Sequence, residues 1–505
     1  MKREKGNDVF PNLLKLNKIL GFVFSRLSFF IPTTTTISGN QSPSALDSSI
    51  DEWTMLQFNM FLATIILALA GTIHIDGFTL PPHTRQNNNK IQHHHNQPEP
   101  ALSSSSSLIL HSTENDEANT SIKAPPRTGI AQTLLNMALE SPLWKLLLVP
   151  QARNKIVSTA QANGIPWTQA KAWIMEQHQQ NQQQQQSLTT SLDKIITPSY
   201  YQRPFHAYED GNLSWEAAYE VELASCAVGA RNFPLYGYRG EDAFRNAFAN
   251  ALQTEAGAVT DKDIDCDCSF MILDMGCGTG MSTRRLAQQF PTATAIHGVD
   301  LSPYFCEIGR QLLQLAPRAF WEDKNNNGAG TWVSTIVQDA RIQYTTANAA
   351  DTPFDDNTFD VVNLQFVLHE LPPAAAREIV QEAYRVLKPG GQLWICEMDF
   401  EAPAYAAQRA NALLFSLIRS TEPYLDEYAE SISDLFQYLT TLFERTTVAP
   451  ATGRHFVVMA SKGQEALLEG RRGELLDLRF SEDGSYRVED THLKVWESKQ
   501  DEVAV

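Results

Sequence analysis

The residues best placed for chemistry sit at one turn. In "MILDMGCGTGMSTRRLA" an apolar run leads to Asp274, and then Gly276, Gly278 and Gly280 occupy alternating positions before helix-forming residues. Such glycines permit positive φ and let the backbone approach a ligand closely. The turn lacks G-K-[ST], so nothing in it holds a triphosphate and its magnesium. Its G-C-G-T-G spacing is not the G-x-G-x-x-G of dinucleotide folds. Asp274 would repel a pyrophosphate, whereas it would attract an amino acid's ammonium. A second acid, Asp300 in "HGVDLS", follows the glycines by about twenty residues at a predicted strand end. Other titratable groups follow later predicted strands: His369 and Glu370 in one place, Glu397 and Asp399 in another.

These residues need a scaffold that gathers strand ends. Strands are predicted at Phe270 to Met275, Ala295 to Asp300, Ile342 to Thr346, Phe359 to Leu364 and Gln392 to Cys396. "FERTTV" and "RHFVVMASK" add two that close the sheet edge. Ser302 followed by Pro303 is a helix start. Ile379, Ala383, Val386 and Leu387 share a helix face, and Pro389-Gly390-Gly391 ends that helix. Strands alternating with helices imply an α/β fold with a doubly wound, Rossmann-like, seven-stranded sheet, and ligands in such sheets bind at the carboxyl ends of the strands. The expected organisation is a targeting and low-complexity region over 1–125, a helical segment with a Gln-rich linker over 126–198, and a helical cap over 199–262. The ligand-binding domain then covers 263–462 and a C-terminal extension 463–505. A helical insert is expected from Ala404 to Tyr438 and a small hairpin in the tail.

Composition narrows the partner. The chain has 505 residues, with 40 basic and 58 acidic side chains and a formal net charge of −18. Such an acidic chain, without a long Lys/Arg run, lacks the charge that neutralises phosphates in nucleic-acid binders, so a small-molecule partner and no nucleic acid are expected. Six cysteines with no C-x-x-C pair and no zinc-finger histidines point to no metal and no disulfide scaffold.

The first ~125 residues read as an address rather than a domain, being rich in "TTTT", "HHH" and "SSSSS" tracts that bury too little surface to order, so a disordered presequence is expected. From Phe61 to Ala70 the chain is apolar apart from Thr64, too short for a membrane span but right for a signal-peptide core. The stretch Phe78 to Gln97 has no acid and carries Arg85 and Lys90, as transit peptides do. "HIDG-FTLPP" resembles the bipartite presequences of algae with complex plastids, which implies a plastid, with a mitochondrion or the endomembrane system as alternatives. Translation is expected to begin at Met55 or Met60. A presequence within Leu16 to Pro32 is the competing reading.

Taken together, "DMGCGTG", "HGVDLS", "TANAADTPFDDNTFDVVNLQFVLHEL" and "AYRVLKPGGQLWICE" resemble, in order, the motifs of class I S-adenosylmethionine-dependent methyltransferases over about Tyr200 to Lys462. The flavour is that of the ubiquinone/menaquinone-biosynthesis type and plastid-targeted relatives, although the quinone enzymes' usual N-terminal signature is not found. The resemblance implies S-adenosyl-L-methionine as cofactor. Asp274, Gly276, Cys277, Gly278 and Gly280 would hold its methionine part, Asp300 the ribose, and Leu301, Asn348 and Ala349 the adenine, with Gln365 flanking the methyl donor. A sulfonium already activates its methyl, so positioning supplies much of the effect, and a base serves only an acceptor that arrives protonated. His369 and Glu370 are the catalytic candidates, although His369 equally suits a buried histidine. Tyr201, His206 and Tyr208 in "YYQRPFHAY", Glu397, and Tyr424 in the insert are candidates for the acceptor, with core packing or a solvated helix face as alternatives. A non-catalytic protein that kept the fold and an aminopropyl transferase using decarboxylated cofactor are the competing functions.

Overall fold

The computed structural model describes residues 149–184 and 197–487, except 207, 265–268, 316–317, 323–328, 333–337, 411–414, 416–420 and 468–469. The presequence expectations, positions 126–148 of the expected helical segment, and the last 18 residues lie outside the described residues.

Among the described residues, sequence alternation becomes a central sheet of eight strands in the order β10-β8-β9-β7-β6-β1-β2-β5. Its members are β1 (Met271–Met275), β2 (Ala295–Asp300), β5 (Ile342–Thr346), β6 (Phe359–Gln365), β7 (Leu387–Met398), β8 (Arg445–Pro450), β9 (His455–Ser461) and β10 (Glu474–Asp477). All pairings are parallel except those of β9, which runs antiparallel to both β7 and β8. The expectation of seven strands is corrected to eight. The tail first adds Glu474–Asp477, which pairs in parallel with β8 and becomes the sheet edge, and then turns back on itself at the antiparallel bridge Phe480–Tyr486, the small hairpin expected there. A separate antiparallel pair, β3 (Arg318–Glu322) and β4 (Ala329–Trp332), was also unforeseen.

Helices cover both faces, as a parallel sheet requires. One face buries Ile379, Val380 and Ala383 of α7 (Pro373–Val386) and Leu435, Phe436 and Leu439 of α9 (Leu425–Leu442) against β6 and β7. The other buries Phe244 and Phe248 of α4 (Gly240–Asn250), Leu286 of α5 (Met281–Gln289) and Cys306 of α6 (Pro303–Gln314). A third apolar cluster joins α1 (Val149–Ala162) and α2 (Trp167–Gln184) to α3 (Trp215–Asn232) and α6, through Ala160, Ile165, Trp173, Leu223 and Leu312. The glutamine run begins as helix rather than linker, because α2 continues through Gln184. The helical insert is split into α8 (Pro403–Ala410) and α9. Among the described residues no helix is long and apolar enough to cross a membrane.

The strand order sets the location of the site. From β1 the chain moves outward through β2 to β5, then returns to place β6 on the other side of β1. That reversal is the switch point where doubly wound sheets open a crevice. The glycine turn after β1 and Gln365 at the end of β6 border it.

Candidate functional site

The three glycines are needed for three different reasons. All have positive φ: 70° at Gly276, 55° at Gly278 and 86° at Gly280. A side chain at Gly276 would strike Val367, and one at Gly280 the hydroxyl of Tyr344. At Gly278 a Cβ would meet nothing within 4 Å, so the turn presents its bare face there. The Gly278 N–H donates to Asp300 Oδ2 at 2.8 Å, and the Ser302 N–H donates to Oδ1 at 2.8 Å. Ser302 in turn caps α6, its hydroxyl accepting from Phe305 N at 3.3 Å, the cap that Ser302-Pro303 predicted. Burial pushes the Asp300 carboxyl up to about 6 against these two backbone donors.

Asp274 is 1% exposed. Its Oδ2 accepts from Ser282 and Thr283, both at 2.6 Å, and its Oδ1 accepts from Asn363 Nδ2 at 2.7 Å. Four lone-pair sites minus three donors leave room for one more hydrogen bond. Burial raises its pKa, and the hydroxyls and Asn363 oppose that rise. Cys277 packs behind the turn: a Cβ at Gly298 would come within 2.9 Å of its Sγ, and burial pushes the thiol well up. Leu301 and Ala349 are buried beside the turn's partner strands. The Asn348 side-chain oxygen accepts from Ala350 N at 3.0 Å, closing its own loop. Gln365 receives Arg245 Nη1 on its oxygen and donates from its nitrogen to Asn363 Oδ1 at 3.2 Å, so Arg245, Gln365, Asn363 and Asp274 form one polar chain.

Acidic and imidazole groups meet beside this crevice, on the Leu368–Glu370 turn that follows β6. Glu397, an acceptor candidate in the sequence, holds His369 here. It is fully buried, and its Oε1 takes the Leu368 N–H at 2.8 Å while His369 Nδ1 lies 3.1 and 3.0 Å from its two oxygens. Burial alone would lower the His369 pKa; the Glu397 charge overrides it and holds the imidazole at about 9. At neutral pH His369 is therefore an imidazolium, a donor rather than a base. Glu370 behaves oppositely. Burial first, then the Glu422 and Asp300 charges, push its carboxyl up to about 7 against His206 and His369. Asn212 Nδ2 donates to Glu370 Oε2 at 3.2 Å, and Ser302 Oγ donates to the Asn212 carbonyl at 2.7 Å, tying Glu370 to the Asp300 corner. Asp399, by contrast, anchors the tail, with Arg479 Nη1 at 3.1 Å and the Tyr486 hydroxyl at 2.8 Å.

The "YYQRPFHAY" segment passes over the same corner. Tyr201 lies against Asp300 and Asn212. His206, held at φ 50°, places Nε2 3.0 Å from Glu422 Oε1 and 3.8 Å from Glu370 Oε1, and its N–H donates to the Thr421 carbonyl at 3.0 Å. The Tyr208 hydroxyl donates to Glu220 Oε2 at 2.6 Å, a partner on α3. Tyr424 is engaged within the protein too. It is 6% exposed, and its hydroxyl donates to the Tyr200 carbonyl at 3.1 Å, so it fastens the segment instead of facing outward. The sequence-predicted residues thus divide. Asp274, the glycines, Asp300, Gln365, Glu370, His369, Tyr201 and His206 converge on the crevice; Tyr208, Tyr424 and Glu397 brace it.

Residues 273–395 match the family model described as a methyltransferase domain. That stretch, which carries the glycine turn, Asp300 and Gln365, is thus similar to methyltransferase domains. Demethylmenaquinone methyltransferase of Tropheryma whipplei is 32% identical over 173 residues, covering 33% of this chain and 60% of the relative. A mitochondrial 2-methoxy-6-polyprenyl-1,4-benzoquinol methylase of Caenorhabditis elegans is 30% identical over 167 residues, covering 33% of this chain and 50% of the relative. The match spans only 60% or less of these two relatives' lengths. A solved SAM-dependent methyltransferase of Aquifex aeolicus aligns over 44% of this chain and 97% of its own, at 17% identity and a TM-score of 0.27.

Several residues around the glycine turn and in the cap escaped sequence reasoning. Glu222 of α3 and Arg284 of α5 form a buried ion pair beneath the glycine turn. Arg245 and Asn212 complete the polar chains described above. One signal was present: in "EAAYEVELASCAVGA" Glu220 and Glu222 sit among apolar residues, where an acid needs a partner. Nothing in the sequence named those partners.

Proposed function

We propose that this protein transfers the methyl group of S-adenosylmethionine to a small-molecule acceptor, and that Glu370 takes the acceptor's proton. The observation that supports it is the shared corner: the bare Gly278 face and Asp300 stand at the switch point, and Asn212 links Glu370 to them. Bound there, S-adenosylmethionine supplies a methyl already activated on sulfonium. Asp300 would orient the ribose hydroxyls, and the one lone pair left on Asp274 suits an ammonium. Glu370, balanced near neutrality, can accept a proton, and the His369 imidazolium beside it stabilises the resulting negative charge on a deprotonated acceptor. The names of the relatives make a quinol-type ring the first acceptor to test. The presequence pattern supports a plastid location; a fusion of residues 1–125 to a fluorescent protein that accumulated in mitochondria or the endomembrane system would overturn that part.

Calorimetric titration of the full chain with S-adenosylmethionine and S-adenosylhomocysteine tests the reading, alongside Asp300→Ala. Losing charge-assisted hydrogen bonds of roughly 1.5–3 kcal/mol weakens binding by about tenfold to a hundredfold. Binding that survives Asp300→Ala unchanged refutes the assignment of Asp300, and no binding by the parent refutes the activity.

A further inference from the structure

The Glu222–Arg284 pair is placed oddly for a stabilising contact. The two side chains are 3% and 1% exposed. Glu222 comes from α3, in the helical cap, and Arg284 from the helix that the glycine turn opens. Both reach the same residue of that turn. Arg284 Nη1 donates to the Thr279 carbonyl at 2.9 Å, and the Thr279 hydroxyl donates to Glu222 Oε1 at 3.2 Å. Arg284 also bonds Glu222 Oε1 through Nη2. One carboxylate oxygen and one guanidinium therefore grip Thr279 from its side chain and its carbonyl together. Thr279 itself is 2% exposed and sits between Gly278, which donates to Asp300, and Gly280.

The pair is also incompletely satisfied. Glu222 Oε2 and Arg284 Nε are buried with no hydrogen-bond partner among the described residues. Desolvating two charges is expensive, and a buried pair recovers that only when its remaining atoms are bonded; apolar replacement of such pairs is often neutral or stabilising. A fold under selection for stability alone would favour apolar side chains in this place. What an apolar pair cannot do is hold the peptide at 279. The Thr279 carbonyl belongs to the peptide joining Thr279 to Gly280, whose orientation goes with the φ of 86° at Gly280, and Thr279 directly follows the Gly278 whose N–H donates to Asp300.

We propose that Glu222 and Arg284 are positioning residues of the cofactor site, setting the glycine turn in its ligand-ready shape at no net gain in stability. The proposal rests on the cofactor reading above. It also gives the cap a role, because Glu222 is the point at which α3 touches the turn. A buried carboxylate two residues earlier on the same helix, Glu220, binds Arg153 of α1 at 2.7 Å and Lys171 of α2 at 2.6 Å, so the N-terminal helices hold the beam that carries Glu222.

The test pairs cofactor affinity with thermal stability in the full chain. In E222M/R284M both charges are removed together, so no lone buried ion remains. The expected result is a melting temperature equal to or above the parent's, with S-adenosylhomocysteine affinity reduced tenfold or more. Thr279→Val, which keeps volume and removes only the hydroxyl, should weaken binding several-fold with the melting temperature unchanged. A double variant that binds as tightly as the parent overturns the proposal. One that melts well below the parent also overturns it, because the pair would then be a stabilising element. A parent chain that binds neither S-adenosylmethionine nor S-adenosylhomocysteine overturns this proposal and the methyl-transfer reading together, whereas a binding parent with an unaffected variant overturns this one alone.

Discussion

Replacing Glu397 with glutamine should collapse the charge on His369. The imidazole is 8% exposed on its side chain and touches both oxygens of a carboxylate that is itself 1% exposed. The rise from 6.5 to about 9 corresponds to roughly 3 kcal/mol of preference for the imidazolium. Because the folded-state pKa lies above the unfolded one, this contribution is fully present below about pH 6.5 and is lost as pH climbs through about 9. Glu370, also raised, is half-ionised at about pH 7 and has completed its change by about pH 8, so the interval above that belongs to His369 among these two. In Glu397→Gln the amide oxygen still accepts from Leu368 N, but the charge is gone. Burial, the larger influence and the one that lowers the pKa, is then opposed by the more distant Glu422 and Glu370 charges without Glu397, and His369 should titrate well below 9. Two assays read this. The Cε1 proton of His369 titrates near 9 in the parent and well below it in the variant. The parent loses stability in chemical denaturation between about pH 8 and 9.5, and the variant does not lose it over that range. A parent His369 that titrates at or below 6.5, or a variant with the parent's alkaline loss, refutes the reasoning.

Glu370→Gln should remove the limb near pH 7 from the pH profile of kcat/KM and lower the plateau by about a hundredfold or more, the scale of general-base assistance; a profile that keeps the limb rules Glu370 out as base. Gly278→Ala and Gly280→Ala should separate binding from folding. The first adds a methyl to open space at φ 55° and should melt only slightly below the parent while losing cofactor affinity, whereas the second drives a methyl into the Tyr344 hydroxyl and should melt far lower; equal effects in differential scanning fluorimetry would contradict the division. Arg479→Met leaves Asp399 buried without its cation, at a cost of about 3–5 kcal/mol in urea unfolding, with S-adenosylhomocysteine affinity unchanged. A loss of affinity there would return Asp399 to the active site.

The sequence alone determined what depends on local spacing. Gly276, Gly278 and Gly280 declared a turn with positive φ and Ser302-Pro303 declared a helix start, each through interactions within a few residues of chain, and the local alternation of strand and helix patterns declared a parallel sheet whose strand ends share one edge. Tertiary structure decided the partners. Glu397 and Glu370 look alike in sequence, yet one lies sealed beneath His369 while the other keeps a side chain 22% exposed beside Asn212 and His206. Tyr201 and Tyr208 stand in one short aromatic segment, yet one reaches Asp300 and the other an acid on α3. Arg284 reads as an ordinary residue of an amphipathic helix until Glu222, 62 positions earlier, is found against it. A side chain's charge and reach are written in its residue type, but its pKa and its partner follow from which distant elements exclude water around it, and the packing of the cap and the sheet supplies that.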